Sequence, residues 1–239
     1  MDRKKLDENR GWPFGAPFLL ERAESHVLQA ASIDGCYRID LAVPAGTAPA
    51  AGWPLVLLLD AEGCFATCVE AVRRMGRRPD ATGVRPLVVA GIRCDGAADA
   101  QLARRRDFTS ADVRQPGSGG APAFLRFLVE EALPLVESAA PLDRQEWTLF
   151  GHSLAGYFVL WVLANQPQLF RSYAAVSPSI WWDRDGLLAG LSGLGGPACL
   201  DRRALLLLGE WETRLPPWQL AQPGHAEAAA RRHDRALLS

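Results

Sequence analysis

The chain predicts an α/β domain with a mostly parallel central sheet, opened by an antiparallel N-terminal hairpin and flanked by helices on both faces. Three observations carry that expectation. Continuous apolar runs at residues 55–59 and 87–92 suit parallel strands buried on both faces. Segments of helical period alternate with them, as crossover connections between parallel strands require. The 239 residues, 49% hydrophobic, are enough for one large core, and no long polar linker divides them. Residues 26–239 are therefore assigned to a single domain and residues 1–25 to an N-terminal extension.

In chain order, residues 26–32 and 36–43 read as two strands joined at Asp34-Gly35, a two-residue hairpin signal in which glycine supplies the positive φ. The strand at 55–59 leads into a crossover helix at 65–74 and the strand at 87–92. Arg104-Arg105-Arg106-Asp107 reads as part of a loop, and the Gly/Ser/Pro-rich residues 115–122 as another. Phe124, Phe127, Leu128, Leu133, Leu135 and Val136 give residues 123–138 an apolar helical face. A strand at 147–150 precedes residues 154–165, which are apolar nearly all round, end before Pro167 and suit an interior helix. Residues 173–176 and 204–208 are the remaining strand candidates.

Gly151-His152-Ser153-Leu154-Ala155-Gly156 stands between the strand at 147–150 and the interior helix. Small residues two positions either side of a serine let backbone segments approach closely in a tight strand-to-helix turn, with the hydroxyl projecting outward. In a chain of this composition such a pattern arises by chance about 0.25 times, so its context carries the assignment. Ser153 lies just beyond the carboxyl end of a central strand, where this architecture places ligands. The Leu154 amide, at a helix N-terminus, can stabilise an oxyanion there. A second donor is expected in the loop Asp60-Ala61-Glu62-Gly63-Cys64-Phe65 after the first parallel strand, around Glu62.

An acid that orients a histidine and stabilises its imidazolium is expected after a later strand, where Glu212 follows the run ending at Gly209. The histidine itself has no clear place. Only 27 residues follow Glu212, and His225 and His233 both fall within residues 224–238, an Ala/Arg-rich stretch that reads as helix. His225 is kept as a candidate base by default. After Thr213 there is no Val, Ile, Thr, Phe or Tyr from which to build a last strand, so the chain is expected to stop inside its last helix with that strand missing. His152, adjacent to the serine, reads as a packing residue.

The formal charge of −1 gives no electrostatic footprint for nucleic acid. No run reaches the roughly 18 apolar residues of a membrane span, and the charged residues 1–10 lead into no signal-peptide core, so a cytoplasmic protein is expected. Cys36, Cys64, Cys68, Cys94 and Cys199 are odd in number, with no Cys-x-x-Cys pair, which disfavours a disulfide framework or zinc site. Arg105 and Arg106 are candidates for binding an anionic substrate, and Trp181 and Trp182 for an aromatic pocket wall.

Together with Ser177-Pro178-Ser179-Ile180-Trp181-Trp182-Asp183, Arg105-Arg106-Asp107-Phe108-Thr109, Gly119-Gly120-Ala121 and Leu58-Leu59-Asp60, the serine motif resembles the putative-esterase family of α/β-hydrolases. The branch it most resembles is the bacterial siderophore esterases that cut trilactone catecholates such as enterobactin, bacillibactin and salmochelin. The resemblance implies an α/β-hydrolase fold, Ser153 attacking the ester, and the arginine and Trp-Trp segments near the substrate. It implies a catalytic histidine in a His-Gly motif after a final strand, which this sequence does not match, so His225 and His233 inherit no role from it. Ala155 replaces the usual Gly, and Ala61-Glu62-Gly63 stands where relatives more often have Gly-Asn-Ala.

The resulting expectation is a serine ester hydrolase acting on a small-molecule ester, an anionic ferric siderophore among the candidates. It would need no metal or organic cofactor of its own, iron entering only within the substrate. A general carboxylesterase, a thioesterase, and a catalytically silent binding protein that lacks the histidine are the alternatives. Oligomeric state is not legible in the sequence.

Overall fold

The computed structural model describes residues 19–112, 116–195, 201–212, 214–220, 222–224 and 226–227. Among the described residues seven strands form one sheet: β1 (Ala23–Gln29), β2 (Cys36–Ala42), β3 (Trp53–Leu59), β4 (Val88–Asp95), β5 (Leu142–His152), β6 (Ser172–Val176) and β7 (Arg203–Leu207). Their order across the sheet is β1-β2-β4-β3-β5-β6-β7. The pairs β1·β2 and β2·β4 are antiparallel, and every pair from β4 to β7 is parallel. The mostly parallel sheet and its antiparallel opening are as expected.

The helices are α1 (Phe65–Met75), α2 (Pro79–Thr82), α3 (Ala100–Phe108), α4 (Ala121–Phe127), α5 (Leu133–Ala139), α6 (Leu154–Asn165), α7 (Arg184–Ser192) and α8 (Pro217–Leu220). A π-helical segment, Leu128–Ala132, joins α4 to α5, so the single helix expected at 123–138 is one continuous element with a widened turn. Helix α6 spans the expected residues and is buried over most of its surface, including Tyr157, Phe158, Val159 and Val162. It lies against β5, β6, α3 and α7.

Two apolar layers hold the sheet. On one face Leu57, Leu59, Ile92 and Leu149 meet α4, α5 and α6. On the other Leu58, Val89 and Val69 of α1 form a smaller cluster. Adjacent residues of β3 thus serve opposite layers, which is why that strand reads as an unbroken apolar run rather than an alternating one.

Several details correct the sequence expectations. Strand β1 starts at Ala23, inside the residues assigned to an extension. The first hairpin has no two-residue turn at Asp34-Gly35: Gln29 already pairs with Cys36, and the Ala30 amide donates to the Gly35 carbonyl at 3.0 Å, closing a longer loop. That loop is satisfied from a distant element, since the Glu131 carboxylate accepts from the Ala31 and Ser32 amides, each at 2.8 Å. Those hydrogen bonds hold the Glu131 carboxyl below its usual range against the opposing effect of desolvation. Arg104, Arg105 and Arg106 lie in helix α3, not in a loop, because Asp99 caps that helix by accepting from the Gln101 and Leu102 amides.

Strand β7 pairs only with β6 among the described residues, and Leu205, Leu206, Leu207 and Leu208 are each about half exposed. The helix expected at 224–238 falls mostly outside the described residues, and His225, His233 and Cys199 lie outside them entirely. No helix among the described residues is long and apolar enough to cross a membrane.

Candidate active site

Ser153 sits at the N-cap of α6 with φ 58° and ψ −117°, a backbone conformation that side-chain-bearing residues rarely adopt. Its neighbours make that turn possible. A Cβ on Gly151 would lie 2.4 Å from the Ala155 carbonyl oxygen, so only glycine fits there. Ala155 is fully buried, and a Cβ on Gly156 would lie 3.1 Å from both Pro178 Cα and the Val176 oxygen. The small residues on each side of the serine therefore serve the close approach inferred from the motif, with Ala tolerated at 155.

The end of β6 clamps the serine backbone. The Ser153 amide donates to the Val176 carbonyl at 2.9 Å, and the Ser153 carbonyl accepts from Ser179 N–H and Tyr157 N–H, each at 3.0 Å. The residue between those strand-end contacts, Ser177, is itself held at φ 43°. Leu154 begins α6, and the first amides of a helix have no intrahelical acceptor, which leaves its N–H available to an oxyanion.

The loop after β3 holds the residues expected from the sequence to supply a second donor. Asp60 takes a left-handed conformation at φ 52°, ψ 48°, and turns the chain into a 3₁₀ segment, Ala61–Gly63. Ala61 is fully buried, and Gly91 makes room for it, since a Cβ there would lie 2.6 Å from the Ala61 Cβ. Glu62 is exposed at the loop surface. Arg104, read from the sequence as one of three guanidinium groups suited to an anionic substrate, instead ion-pairs with Asp60 through Nε. Burial raises the Asp60 carboxyl above its ordinary range, and the Arg104 guanidinium opposes that rise.

That pair makes a specific expectation. Arg104→Ala leaves a partly buried carboxylate without its cation, at a cost between about 0–1 kcal/mol for an exposed pair and about 3–5 kcal/mol for a buried one. Because burial raises the Asp60 pKa, the penalty appears as pH rises above the ordinary carboxyl value of 3.8 and vanishes below it. Thermal melts at pH 7 should show Arg104→Ala less stable than the Asp60→Asn/Arg104→Ala double variant. Equal Tm values would contradict the expectation.

The remaining candidates fall into distinct settings. Arg106 is committed internally: Nε donates to Asp107 at 2.7 Å and a terminal nitrogen donates to the Tyr37 hydroxyl at 2.9 Å, while Tyr37 donates to Asp107 at 2.8 Å. Burial raises both the Tyr37 and Asp107 pKa values. Arg105 is half-buried, and its guanidinium has no ion-pair partner among the described residues. Trp182 is buried, and its indole donates to the Ser110 carbonyl at 3.3 Å, whereas Trp181 is 43% exposed. Ser110 also bonds Tyr157 at 2.9 Å and Asp183 at 3.1 Å, joining the loop after α3 to α6 and the Trp-Trp segment. Burial pushes the Tyr157 hydroxyl up to about 12, the Ser110 hydrogen bond opposing it.

Glu212 is half-buried and folds back on its own turn, its amide donating to the Gly209 carbonyl at 3.2 Å. His152 is exposed rather than packed: the elbow turns it outward, within electrostatic reach of Asp60. Neither His152 nor His26 bonds the Ser153 hydroxyl. Its partner among the described residues is Ser179, with the two Oγ atoms 3.3 Å apart. A pocket of about 290 Å³ lies beside the loop after β3, lined by Asp60, Glu62, Cys94, Arg104 and Phe108.

Comparisons with known proteins converge on one family. The family described as Putative esterase matches residues 30–237. The chain is 37% identical to the ferri-bacillibactin esterase BesA of Bacillus subtilis over 199 residues, 79% of this chain and 68% of that enzyme. It is 30% identical to the siderophore triacetylfusarinine C esterase of Aspergillus fumigatus over 184 residues, 74% of this chain and 63% of that enzyme. The chain thus spans about two thirds of the length of these curated relatives. In three dimensions it resembles the BES protein from Bacillus cereus with a TM-score of 0.77 at 26% identity, covering 93% of this chain and 84% of that one.

Proposed function

The chain belongs to the Putative esterase family, and from that premise we propose that it hydrolyses ester bonds of a siderophore, with Ser153 as the nucleophile. The observation that carries the reading is the elbow. Ser153 is held in a rare backbone conformation, by residues too small to be anything else, at the N-terminus of a buried helix. The names of its relatives, which act on ferri-bacillibactin and triacetylfusarinine C, support a siderophore as the class of substrate.

In this reading Ser153 Oγ attacks the ester carbonyl carbon, forming an acyl-enzyme and releasing the alcohol. The carbonyl oxygen becomes an oxyanion, which the Leu154 amide and an amide near Glu62 stabilise. The Ser153 proton passes to a histidine oriented by Glu212, with His225, outside the described residues, as the candidate carried from the sequence. Water then cleaves the acyl-enzyme. Arg105, with no ion-pair partner among the described residues, is the cation assigned to an anionic catecholate in this reading, and Trp181 and Trp182 supply aromatic surface.

One observation favours a second reading, a binding protein without turnover: neither described histidine bonds Ser153, whose hydroxyl partner is another serine. Turnover separates the two. The esterase reading expects hydrolysis of both a short p-nitrophenyl ester and a catecholate trilactone, iron-free or ferric. Arg105→Ala should slow the trilactone about tenfold while sparing the neutral ester. Tight trilactone binding with no product would support the silent reading, and equal slowing of both substrates would remove Arg105 from substrate recognition.

A further inference from the structure

Resting on the reading of Ser153 as nucleophile, we propose that Ser179 is a positioning residue, whose hydroxyl donates a hydrogen bond to Ser153 Oγ and holds it in the rotamer for attack. Ser179 follows β6 in the segment Ser177-Pro178-Ser179 and is 7% exposed. Its main chain is already tied to the nucleophile, N–H to the Ser153 carbonyl at 3.0 Å, and the two Oγ atoms stand 3.3 Å apart. The same segment packs against the elbow at Gly156, through Pro178 Cα. Backbone and side chain of one residue therefore both address Ser153.

Packing alone does not call for a hydroxyl here. Burying one costs free energy unless it is hydrogen-bonded, and alanine would fill nearly the same space. What the hydroxyl adds is a contact to the reacting oxygen. Its direction follows from the chemistry: Ser153 must pass its proton to a base during attack, so a weakly basic hydroxyl that accepted that proton's hydrogen bond would compete with the base for it. A partner that donates occupies one lone pair, leaves another for the carbonyl carbon, and stays compatible with Oγ after the proton has gone. At 3.3 Å the contact is longer than the usual 2.7–2.8 Å between hydroxyls, as resting-state catalytic contacts often are before substrate tightens them.

The test is the second-order rate at which a fluorophosphonate labels Ser153, a reaction in which an Oγ–P bond forms, the P–F bond breaks, fluoride leaves and the serine proton passes to solvent. Ser179→Ala is expected to label about tenfold more slowly than wild type with an unchanged Tm, and Ser179→Thr, which keeps the hydroxyl, to recover most of the rate. With a p-nitrophenyl ester the loss should fall in kcat and leave KM in place. Ser179→Ala labelling within twofold of wild type would overturn the proposal. A Thr variant as slow as Ala, or a loss confined to KM, would overturn it too, because packing would then account for the effect. A wild-type protein that is folded yet does not label would defeat the nucleophile reading itself, and the role of Ser179 with it, whereas slow labelling of the variant alone leaves that reading intact.

Discussion

Ser153→Ala is expected to lower ester hydrolysis by about 10⁴- to 10⁶-fold, because no other group in a serine hydrolase replaces the atom that forms the acyl bond. The loss should appear almost entirely in kcat. Alanine keeps the Cβ and inherits the same backbone conformation at φ 58°, and the hydroxyl it removes has, among the described residues, only the 3.3 Å contact to Ser179, so Tm should shift by no more than about 2 °C. The measurement is initial rates with a chromogenic ester, paired with a thermal melt. Retained turnover would move the nucleophile elsewhere.

Gly151→Ala is expected to have the largest effect on stability of any methyl added to this site. The new Cβ would meet the Ala155 carbonyl oxygen at 2.4 Å and its carbon at 2.5 Å, both backbone atoms of the elbow, so no flexible side chain can move aside. Overpacking of this kind costs about 3 kcal/mol or more, a fall in Tm of roughly 6–12 °C for a chain of this size. Activity should fall with it, because relief requires α6 to shift relative to β5 and carries Ser153 and the Leu154 amide out of register. Gly195→Ala provides the control: its Cβ would have nothing within 4 Å, and its Tm should match wild type. A Gly151→Ala protein with wild-type Tm and rate would show that the elbow is looser than described.

What the sequence revealed depended on how local the signal was. The unbroken apolar runs of β3 and β4 and the all-round apolar α6 were legible because burial on every face leaves no polar alternation in the chain. The elbow was legible because Gly151, Ser153 and Ala155 act within five residues. Features that depend on partners far along the chain were not. Asp34-Gly35 carries a hairpin signal, yet the turn is overruled by Glu131, about 100 residues away. Arg104-Arg105-Arg106 reads as one charge run, but helical geometry sends its members to different work: Arg104 to Asp60, Arg106 to Asp107 and Tyr37. Ser179 lay in the open, inside a motif noted for its tryptophans. Its contact with a serine 26 positions earlier exists only because β6 lies beside β5 and ends next to the elbow. Two local signals also went unread, the Asp99 cap of α3 and the Asp183 cap of α7, whose carboxylate accepts from the Gly186 amide at 3.1 Å.

The most direct test of the account is the site of covalent modification. Folded protein treated with a fluorophosphonate, then measured by intact mass and peptide mapping, should carry one adduct, on the peptide containing Ser153, and Ser153→Ala should carry none. An adduct elsewhere, one that survives in Ser153→Ala, or none in a protein whose melt shows it folded, would contradict the claim that this elbow presents an acylation-competent serine.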